Sequence, residues 1–437
     1  MCAMPDEMLD AARSCCDAAE VYVERGETRS IRFENNKLKR ITARQFNGVG
    51  LRIFNEGRIG FASTTDLREP DRLVEMAVES AEFGDKAVFK LPDQPPEIAD
   101  VDTCDSEIKN VAPRDMVALG KTAMEKSRQA SDEYLFSANI STKTATQHIL
   151  NTGGLDVEFE KSDMAASVEI QEVNDSGMLE TYESRSWGQP FTSIEDITDT
   201  ALEKMEKGKV IAPAKSEVMP MIFTPKSAGT LLSPIMTALN GKRVQKGSSI
   251  LAGRLDEKIV DERIAIFDDP TVPFGPSSAP IDDEGLPVSR RPLIEQGVLK
   301  NYLLDLQTAA LLGMESTASG HRSYGSRPSP SSTNTLVLAG STPYKEMVEG
   351  LERGVIVDQT LGSGQSNTLA GEFSVNVALG FLVEDGDIQG RVKDCMVAGN
   401  VYKLLSRLEA LGSEPQWMGS NCVPAICVGG IKLAIQD

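Results

Sequence analysis

The sequence is poor in the residues from which metal sites are built. Its 437 residues include only two histidines, His148 and His321, which lie far apart in the chain. Seven cysteines are scattered over positions 2, 15, 16, 104, 395, 422 and 427, without the pattern of zinc-binding pairs. An odd number of scattered cysteines is typical of free thiols in a reducing compartment, not of a disulfide framework. The sequence therefore predicts that this chain binds no metal and no other cofactor.

Positive charge is also scarce, because 45 lysines and arginines face 65 acidic residues and leave a formal net charge of −20. Binding to a phosphate backbone requires clustered basic residues, so this composition argues against a nucleic-acid partner. No run approaches the roughly 20 apolar residues of a membrane-spanning helix. The first residues include Asp6, Glu7 and Asp10, where a signal peptide would be basic. Together these features predict a cytoplasmic protein without a membrane partner.

Hydrophobic residues make up 40% and charged residues 25% of the chain, which is the composition of a folded protein of about two domains. Generic catalytic motifs are missing. Gly120-Lys121-Thr122 lacks the first glycine of a phosphate-binding loop, because position 115 is an aspartate. No G-x-S-x-G segment is present, and this excludes the nucleophile turn of the serine hydrolases.

The first half of the chain reads as helices alternating with runs of antiparallel strands. A helix at about residues 5–16 precedes short strands at 19–24, 28–34, 37–46, 49–55 and 58–63. Asn35-Asn36, Asn47-Gly48 and Glu56-Gly57 are typical hairpin turns between them. A second pass has a helix at about 113–130 and strands at 135–142, 144–150, 155–173 and 178–187. The prediction is an α+β fold with an N-terminal domain at 1–210 and a C-terminal domain at 217–437, each containing an antiparallel sheet and helices.

A strand and a helix form the centre of the predicted C-terminal domain. Val218–Phe223 has the composition of a buried strand, and a helix is predicted over residues 225–240. Thr224 is suited to cap this helix, and Pro225 to occupy its first position. Leu231, Leu232, Ile235 and Leu239 form an apolar stripe, but Pro234 in mid-helix removes a backbone hydrogen bond.

This central stretch resembles the TldD/PmbA family, which is linked to a zinc peptidase and was long labelled as modulators of DNA gyrase. In the TldD branch, an HExxxH motif follows a pair of leucines and supplies zinc ligands and an acid–base glutamate. After Leu231-Leu232, the matching positions here are Ser233, Pro234 and Ala238. These residues cannot bind zinc or transfer the proton. The resemblance is therefore to the PmbA branch, also called TldE, and it implies that this chain has no catalytic residues of its own.

Two other stretches carry the same resemblance. Residues 19–64, which read AEVYVERGETRSIRFENNKLKRI and then GVGLRIFNEGRIGFAST, are similar to the family's N-terminal signature. Residues 370–376, the acidic hairpin at 385–387 and Gly399-Asn400 are similar to its C-terminal core. The resemblance extends from about residue 20 to residue 434, with the three blocks in the family's order. It implies the family's two-domain α+β fold.

The long polar loops of the C-terminal half supply candidates for a substrate cavity. Asp282, Asp283 and Glu284 form the densest acidic cluster, which is either a solvated turn or a loop lining a cavity. The cavity interpretation rests on a similar acidic-Gly motif in the family. Two further loops, 320–333 and 362–367, are long enough to be functional. The candidate residues are Asp282, Asp283, Glu284, His321, Arg322, Gln365, Asn367 and Asn376.

Three interpretations of function remain open. The favoured one, implied by the resemblance, is a non-catalytic subunit of a TldD-type metallopeptidase that processes unfolded or small peptides. Zinc is then expected on a TldD-like partner, with peptides as substrates, and a homodimer is also possible. The second is a metal-free peptidase acting alone through its loops and His321. The third is a pure interaction protein, as the gyrase-modulator label suggests.

Overall fold

The structure is a computed structural model that describes residues 4–94, 97–175, 177–362 and 366–435. The helices in these ranges are α1 (Met4–Arg13), α2 (Pro70–Ala81), α3 (Pro113–Ala130), α4 (Glu195–Gly208), α5 (Gly229–Leu239), α6 (Gly241–Gln245), α7 (Leu306–Leu312), α8 (Tyr344–Glu349) and α9 (Val401–Leu405). The N-terminal strands are β1 (Ala18–Glu34), β2 (Lys37–Asn55), β3 (Arg58–Thr64), β4 (Leu135–Asn151), β5 (Asp156–Asn174) and β6 (Gly177–Trp187). The C-terminal strands are β7 (Glu217–Phe223), β8 (Ile266–Asp268), β9 (Arg291–Glu295), β10 (Val298–Leu299), β11 (Gly320–His321), β12 (Ser329–Pro330), β13 (Thr335–Val337), β14 (Arg353–Leu361), β15 (Glu372–Glu384), β16 (Asp387–Arg391), β17 (Cys395–Asn400), β18 (Leu408–Leu411), β19 (Gln416–Met418), β20 (Asn421–Val423) and β21 (Ile426–Ile435).

The N-terminal strands form one sheet in the order β3-β2-β1-β4-β5-β6, in which all neighbours run antiparallel. Two three-stranded meanders, β1–β2–β3 and β4–β5–β6, are therefore joined through their first strands. Each meander is preceded and followed by a helix in the chain. This arrangement confirms the two passes of helix and strands predicted from the sequence.

The predicted turn at Asn47-Gly48 is wrong, because β2 runs through it without a break. Asn47 and Gly48 lie opposite Arg25 and Glu24 of β1. A side chain at Gly48 would collide with the ring of Tyr324, whose nearest atoms lie only 2.4 Å from an added Cβ. The glycine thus admits a ring from the C-terminal half and does not make a turn. The predicted break between residues 142 and 144 is also absent, since β4 is continuous there.

The other two predicted N-terminal turns are confirmed. Asn35 and Asn36 have φ values of 49° and 61°, and Glu56 and Gly57 have φ values of 51° and 72°. Two consecutive residues with positive φ are the signature of the type I′ turn, which matches the twist of antiparallel strands. These turns fix the register of β1 against β2 and of β2 against β3.

Helices cover one face of the N-terminal sheet. The C-terminal half covers one end of the opposite face. Odd-numbered residues of β1 pack against helices: Val21 and Val23 in a cluster with α1 and α2, and Ile31 and Phe33 in a cluster with α3. On the opposite face, Glu20 and Tyr22 are also fully buried. Tyr22 packs with Ile281 of the C-terminal half. Because both faces are covered here, charged side chains on β1 and β2 are enclosed.

Most of the C-terminal strands form two sheets, and β11 and β12 form a separate pair. In one of them, β14-β7-β21-β17-β15 closes into a ring, because β14 also pairs with β15. The other has the order β10-β9-β8-β13-β20-β19. Most pairs are antiparallel, as predicted, but β7–β14 and β13–β20 are parallel. The α+β fold class is confirmed, whereas the domain bounds at 210 and 217 stay a prediction.

The central helix is shorter than predicted. α5 begins at Gly229, and residues 225–228 form turns, so Thr224 and Pro225 lie before the helix. The hydroxyl of Thr224 has no hydrogen-bond partner among the described residues, and the first turn of α5 starts later, so Thr224 does not act as the predicted cap. Pro234 lies inside the helix as predicted. Asn240 follows the last residue of α5 and caps α6, since its side chain accepts a hydrogen bond from the amide of Lys242.

Introducing aspartate at two nearby positions of α5 tests which side of the helix faces the core. Leu231 is fully buried in the C-terminal core, while Ser233 is exposed. Leu231→Asp is expected to lower the free energy of unfolding by at least about 3 kcal/mol, because it removes apolar contacts and buries an unpaired charge. Ser233→Asp serves as the matched control and should change it by less than about 0.5 kcal/mol. Denaturant unfolding measures both, and equal losses would contradict this orientation.

Candidate functional site

A groove runs over the exposed face of α5. Gly229 and Ser233 are exposed on this face, and Met236 and Thr237 are partly exposed one turn later. Residues spaced by three or four positions share one side of a helix, and this spacing forms a continuous floor. A cavity of about 530 Å³ lies above it, lined by Gly229, Leu232, Ser233, Met236, Thr237, Asn240, Arg243, Leu303, Pro330, Ser331, Ser332, Ser420 and Asn421.

A second cavity of about 320 Å³ adjoins the first and shares Gly229 and Ser233 with it. Its lining brings in strands and loops from the ring-shaped sheet: Lys226, Gly229, Thr230, Ser233, Pro234, Thr360, Ser366, Thr368, Phe373 and Val375. The two cavities together are called the α5 groove below. Ser233 lies at their junction.

The α5 groove is lined mainly by groups that form hydrogen bonds without titrating near neutral pH. Hydroxyls and amides predominate, and the described lining residues include no histidine, cysteine or carboxylate. Arg243 is exposed at one end, whereas Lys226 is engaged by Glu183 at 3.1 Å and Asp358 at 3.7 Å. Burial lowers the pKa of Lys226, although both carboxylates oppose this shift. The groove can therefore bind polar chains, and the amine of Lys226 in its lining is held by the two carboxylates.

The three positions that match the zinc motif face different surroundings. Ser233 opens into the groove, Pro234 is buried beside the second cavity, and Ala238 is fully buried in the core. None of their side chains supplies the imidazole or carboxylate donors of such a zinc site. Within the described ranges, no group of three or more His, Cys, Asp or Glu residues could hold a metal ion. These residues do not fit zinc.

The acidic loop is neither a solvated turn nor part of the α5 groove. Asp282, Asp283 and Glu284 are 1%, 8% and 1% exposed, so the interpretation of this loop as a solvated turn is wrong. Asp282 accepts hydrogen bonds from the amides of Glu284 at 3.0 Å, Leu286 at 2.8 Å and Gly320 at 3.1 Å. Backbone donors thus satisfy the carboxylate that the fold encloses.

Glu284 belongs to a chain of buried charges of alternating sign. It accepts a hydrogen bond from Arg52 at 2.7 Å, Arg52 pairs with Glu20 at 3.1 Å, and Glu20 pairs with Arg322 at 2.6 Å. The side chains are 1%, 3%, 0% and 1% exposed, respectively. Arg322 also lies over the ring of Tyr22, 4.6 Å from its centre. We call Glu284, Arg52, Glu20 and Arg322 the buried charge chain; it joins β1 and β2 to two loops of the C-terminal half.

His321 extends this polar core on the C-terminal side. Its Nδ1 lies 3.8 Å from a carboxylate oxygen of Asp283. Burial depresses the pKa of His321, but Asp283, Asp282 and Asp268 outweigh it and raise the pKa overall. The pKa of Asp283 is lowered despite burial, because His321 stabilises its charge. Burial, followed by the charge of Glu284, raises the pKa of Asp282 to about 7. The neighbouring acidic side chains thus favour the protonated form of His321.

The remaining sequence candidates are dispersed. Asn367 and Asn376 are exposed, and neither lines the α5 groove, although their neighbours Ser366 and Val375 do. Gln365 lies outside the described residues. The structure therefore brings Asp282, Asp283, Glu284, His321 and Arg322 together in a buried cluster, separate from the groove lining.

Sequence reasoning missed most of the groove. On α5, Ser233 and Thr237 interrupt the apolar sequence at a spacing of four, which is a signal for a polar helix face. Asn240 and Arg243 continue the same side beyond the helix end. Ser331 and Asn421, by contrast, come from distant loops, and nothing in the sequence predicts that they meet α5.

The chain is similar to known proteins over most of its length. The model described as PmbA/TldA metallopeptidase C-terminal domain matches residues 216–435, and the model of metallopeptidase domain 1 matches residues 19–81. A metalloprotease of Methanothermobacter thermautotrophicus is 27% identical, with 91% of this chain and 88% of that protein covered. The metalloprotease PmbA of Escherichia coli O157:H7 is 24% identical, with 98% and 94% covered.

A solved structure agrees with these matches over almost the full length. The crystal structure of TldE from Thermococcus kodakarensis superposes with a TM-score of 0.91 at 25% identity, covering 98% of this chain and 99% of that one. In the described part of the chain, the helices are too short or too polar to cross a membrane. From the matched domains, the relatives and the shared fold we conclude that the chain belongs to the PmbA/TldD metallopeptidase family.

Proposed function

We propose that this chain is the PmbA/TldE-like subunit of a TldD-type zinc metallopeptidase and supplies a peptide-binding groove rather than the catalytic metal. The observation that carries the proposal is the α5 groove itself. A cavity of about 530 Å³ lies over the helix where the TldD branch is expected to hold zinc, yet the matching positions here are Ser233, Pro234 and Ala238. The site is thus shaped for a ligand but lacks metal-binding side chains.

The polar lining favours extended peptides. An extended backbone presents an N–H or a C=O group to one side at short intervals, and unfolded peptides leave these groups unpaired. The hydroxyl of Ser233 can both donate and accept, and so can the side-chain amide of Asn421. Such groups pair with backbone irrespective of sequence. This chemistry suits unfolded or small peptides.

Zinc would lie on a TldD-like partner, where it would polarise the scissile carbonyl and activate water. The role of this chain is to bind and orient the peptide, since the described lining of its groove includes no histidine, cysteine or carboxylate. The resemblance to TldD and PmbA proteins supports a hetero-oligomer, and a homodimer remains compatible with the fold. Free thiols at the described cysteines support a cytoplasmic location for the assembly.

A bulky substitution at the junction of the two cavities tests the groove. Ser233→Trp should fill the junction and lower the kcat/KM of the complex with a zinc-bearing partner at least about tenfold, mostly through KM, because peptide and indole compete for the same volume. Thr200→Trp, on the exposed face of α4, is the control. Steady-state cleavage of an unfolded peptide measures both. Equal kcat/KM for the two variants, with assembly intact, would contradict a peptide-binding role.

A further inference from the structure

The first half of β2 is an open sheet edge. β1 pairs with β2 along its whole length, but β3 pairs only with residues 49–55. Residues 37–47 therefore have no strand on their other side among the described residues. A strand edge presents unpaired N–H and C=O groups at every second residue, and these groups can accept another strand. Residues 37–45 are all exposed, which leaves this edge accessible.

The side chains of this edge differ in chemistry between the two faces of the sheet. Leu38 and Ile41 lie opposite the buried Phe33 and Ile31, yet they are 41% and 54% exposed. Directly paired residues point to the same side of a sheet, so this is the apolar face. A β-bulge at Arg32/Phe33 shifts the register by one residue, so that Leu38 and Ile41 lie on the same face. The opposite face carries Lys37, Arg40 and Arg44. The edge thus has one apolar and one basic face.

The basic face is not neutralised within the described structure. Residues 37–47 contain four basic residues and no acidic one, in a chain whose net charge is −20. Arg40 lies directly opposite Arg32, an arrangement of like charges that destabilises a sheet. Arg32 and Lys39 approach Glu34 at 3.7 and 3.8 Å, but Lys37, Arg40 and Arg44 form no ion pair with any described residue. Glu34 lies opposite Lys37 on this face, but basic residues outnumber it there.

We propose that the free edge of β2, residues 37–47, binds an extended acidic segment of another protein as an added strand. Main-chain hydrogen bonds would supply affinity, and alternate side chains would supply specificity. The segment would place acidic side chains beside Lys37, Arg40 and Arg44, and apolar side chains beside Leu38 and Ile41. A second copy of this edge is disfavoured, because it would bring like charges together. This site is separate from the α5 groove and does not depend on the proposed function.

A synthetic peptide that alternates glutamate and valine, of the same length as the free edge, tests the proposal on the full chain. Binding is measured by fluorescence anisotropy, and strand addition by hydrogen exchange of the amides of residues 37–47. The control peptide has the same composition in two blocks, one of glutamate and one of valine. We expect protection of the edge amides with the alternating peptide and weaker binding of the blocked one.

Charge reversal defines where the peptide binds. The triple variant Lys37→Glu/Arg40→Glu/Arg44→Glu should weaken binding at least about tenfold, since it turns attraction into repulsion. Arg114→Glu/Lys121→Glu/Lys345→Glu reverses three exposed charges elsewhere and should leave binding unchanged. Three results would overturn the proposal. They are edge amides without added protection, a single-stranded oligonucleotide that binds the edge as tightly as the peptide, and edge protection that rises with protein concentration alone.

Discussion

Replacing Arg52 by alanine is expected to lower the free energy of unfolding by about 3–5 kcal/mol, the range found when one member of a buried ion pair is removed. Arg52 is 3% exposed and lies between two carboxylates, those of Glu284 at 2.7 Å and Glu20 at 3.1 Å. Without it, both carboxylates lose their common counter-charge, although Arg322 remains beside Glu20. The loss of charge compensation should be strongest at Glu284, because its other charged neighbours include the acidic residues Asp282 and Asp305.

Denaturant unfolding of Arg52→Ala against Arg68→Ala measures this effect. Arg68 also pairs with a carboxylate, that of Asp66, but its side chain is 86% exposed. Surface ion pairs contribute about 0–1 kcal/mol, so the control should unfold nearly as the wild type does. If Arg52→Ala does not fold, Glu284→Gln keeps the test open, since it removes the negative charge but preserves the shape. Similar stabilities for the Arg52 and Arg68 variants would contradict the burial of this chain of charges.

The buried charge chain also changes what the acidic loop is expected to do. From the sequence, Asp282, Asp283 and Glu284 were candidates to line a substrate cavity. In the structure, backbone amides, Arg52 and His321 enclose them. Neutralising these residues is therefore expected to act on the contact between the two halves of the chain before it acts on peptide choice.

Local patterns were sufficient where neighbouring residues decide the structure. The turns at Asn35-Asn36 and Glu56-Gly57 follow from residue types that tolerate positive φ. Burial of Leu231, Ile235 and Leu239 follows from their spacing on α5. Asn400 caps α9 by accepting a hydrogen bond from the amide of Lys403, three residues away. In each case the deciding contact lies within a few residues.

Long-range contacts decided the places where sequence reasoning failed. Arg52 and Glu284 are 232 positions apart, and no local pattern shows that they meet. The sequence predicts a turn at Gly48, whereas the glycine is needed because the ring of Tyr324 lies against it. Tyr324 belongs to a distant loop, so no local pattern indicates this contact. The N-terminus of α5 was placed too early for a related reason. Ser227, in the segment assigned to the helix, donates its hydroxyl to Val357 of β14 instead.

The largest functional effect is expected when this chain meets a zinc-bearing TldD-like partner. Alone, it should not hydrolyse peptides, because Ser233, Pro234 and Ala238 supply neither zinc ligands nor an acid–base group. In the proposed complex, the partner's zinc would supply the chemistry, and the α5 groove would hold the peptide. Replacing the glutamate of the partner's HExxxH motif by glutamine should cost roughly 10²–10⁴-fold in kcat, the usual contribution of general acid–base catalysis.

Peptide hydrolysis can show whether this chain provides a groove and not the metal. Cleavage of an unfolded peptide would be followed for this chain alone, for the partner alone and for their mixture, each with zinc supplied. We expect the chain alone to match the buffer, and the mixture to cleave in proportion to the complex formed. Cleavage by this chain alone, dependent on zinc and lost in Ser233→Trp, would contradict the account.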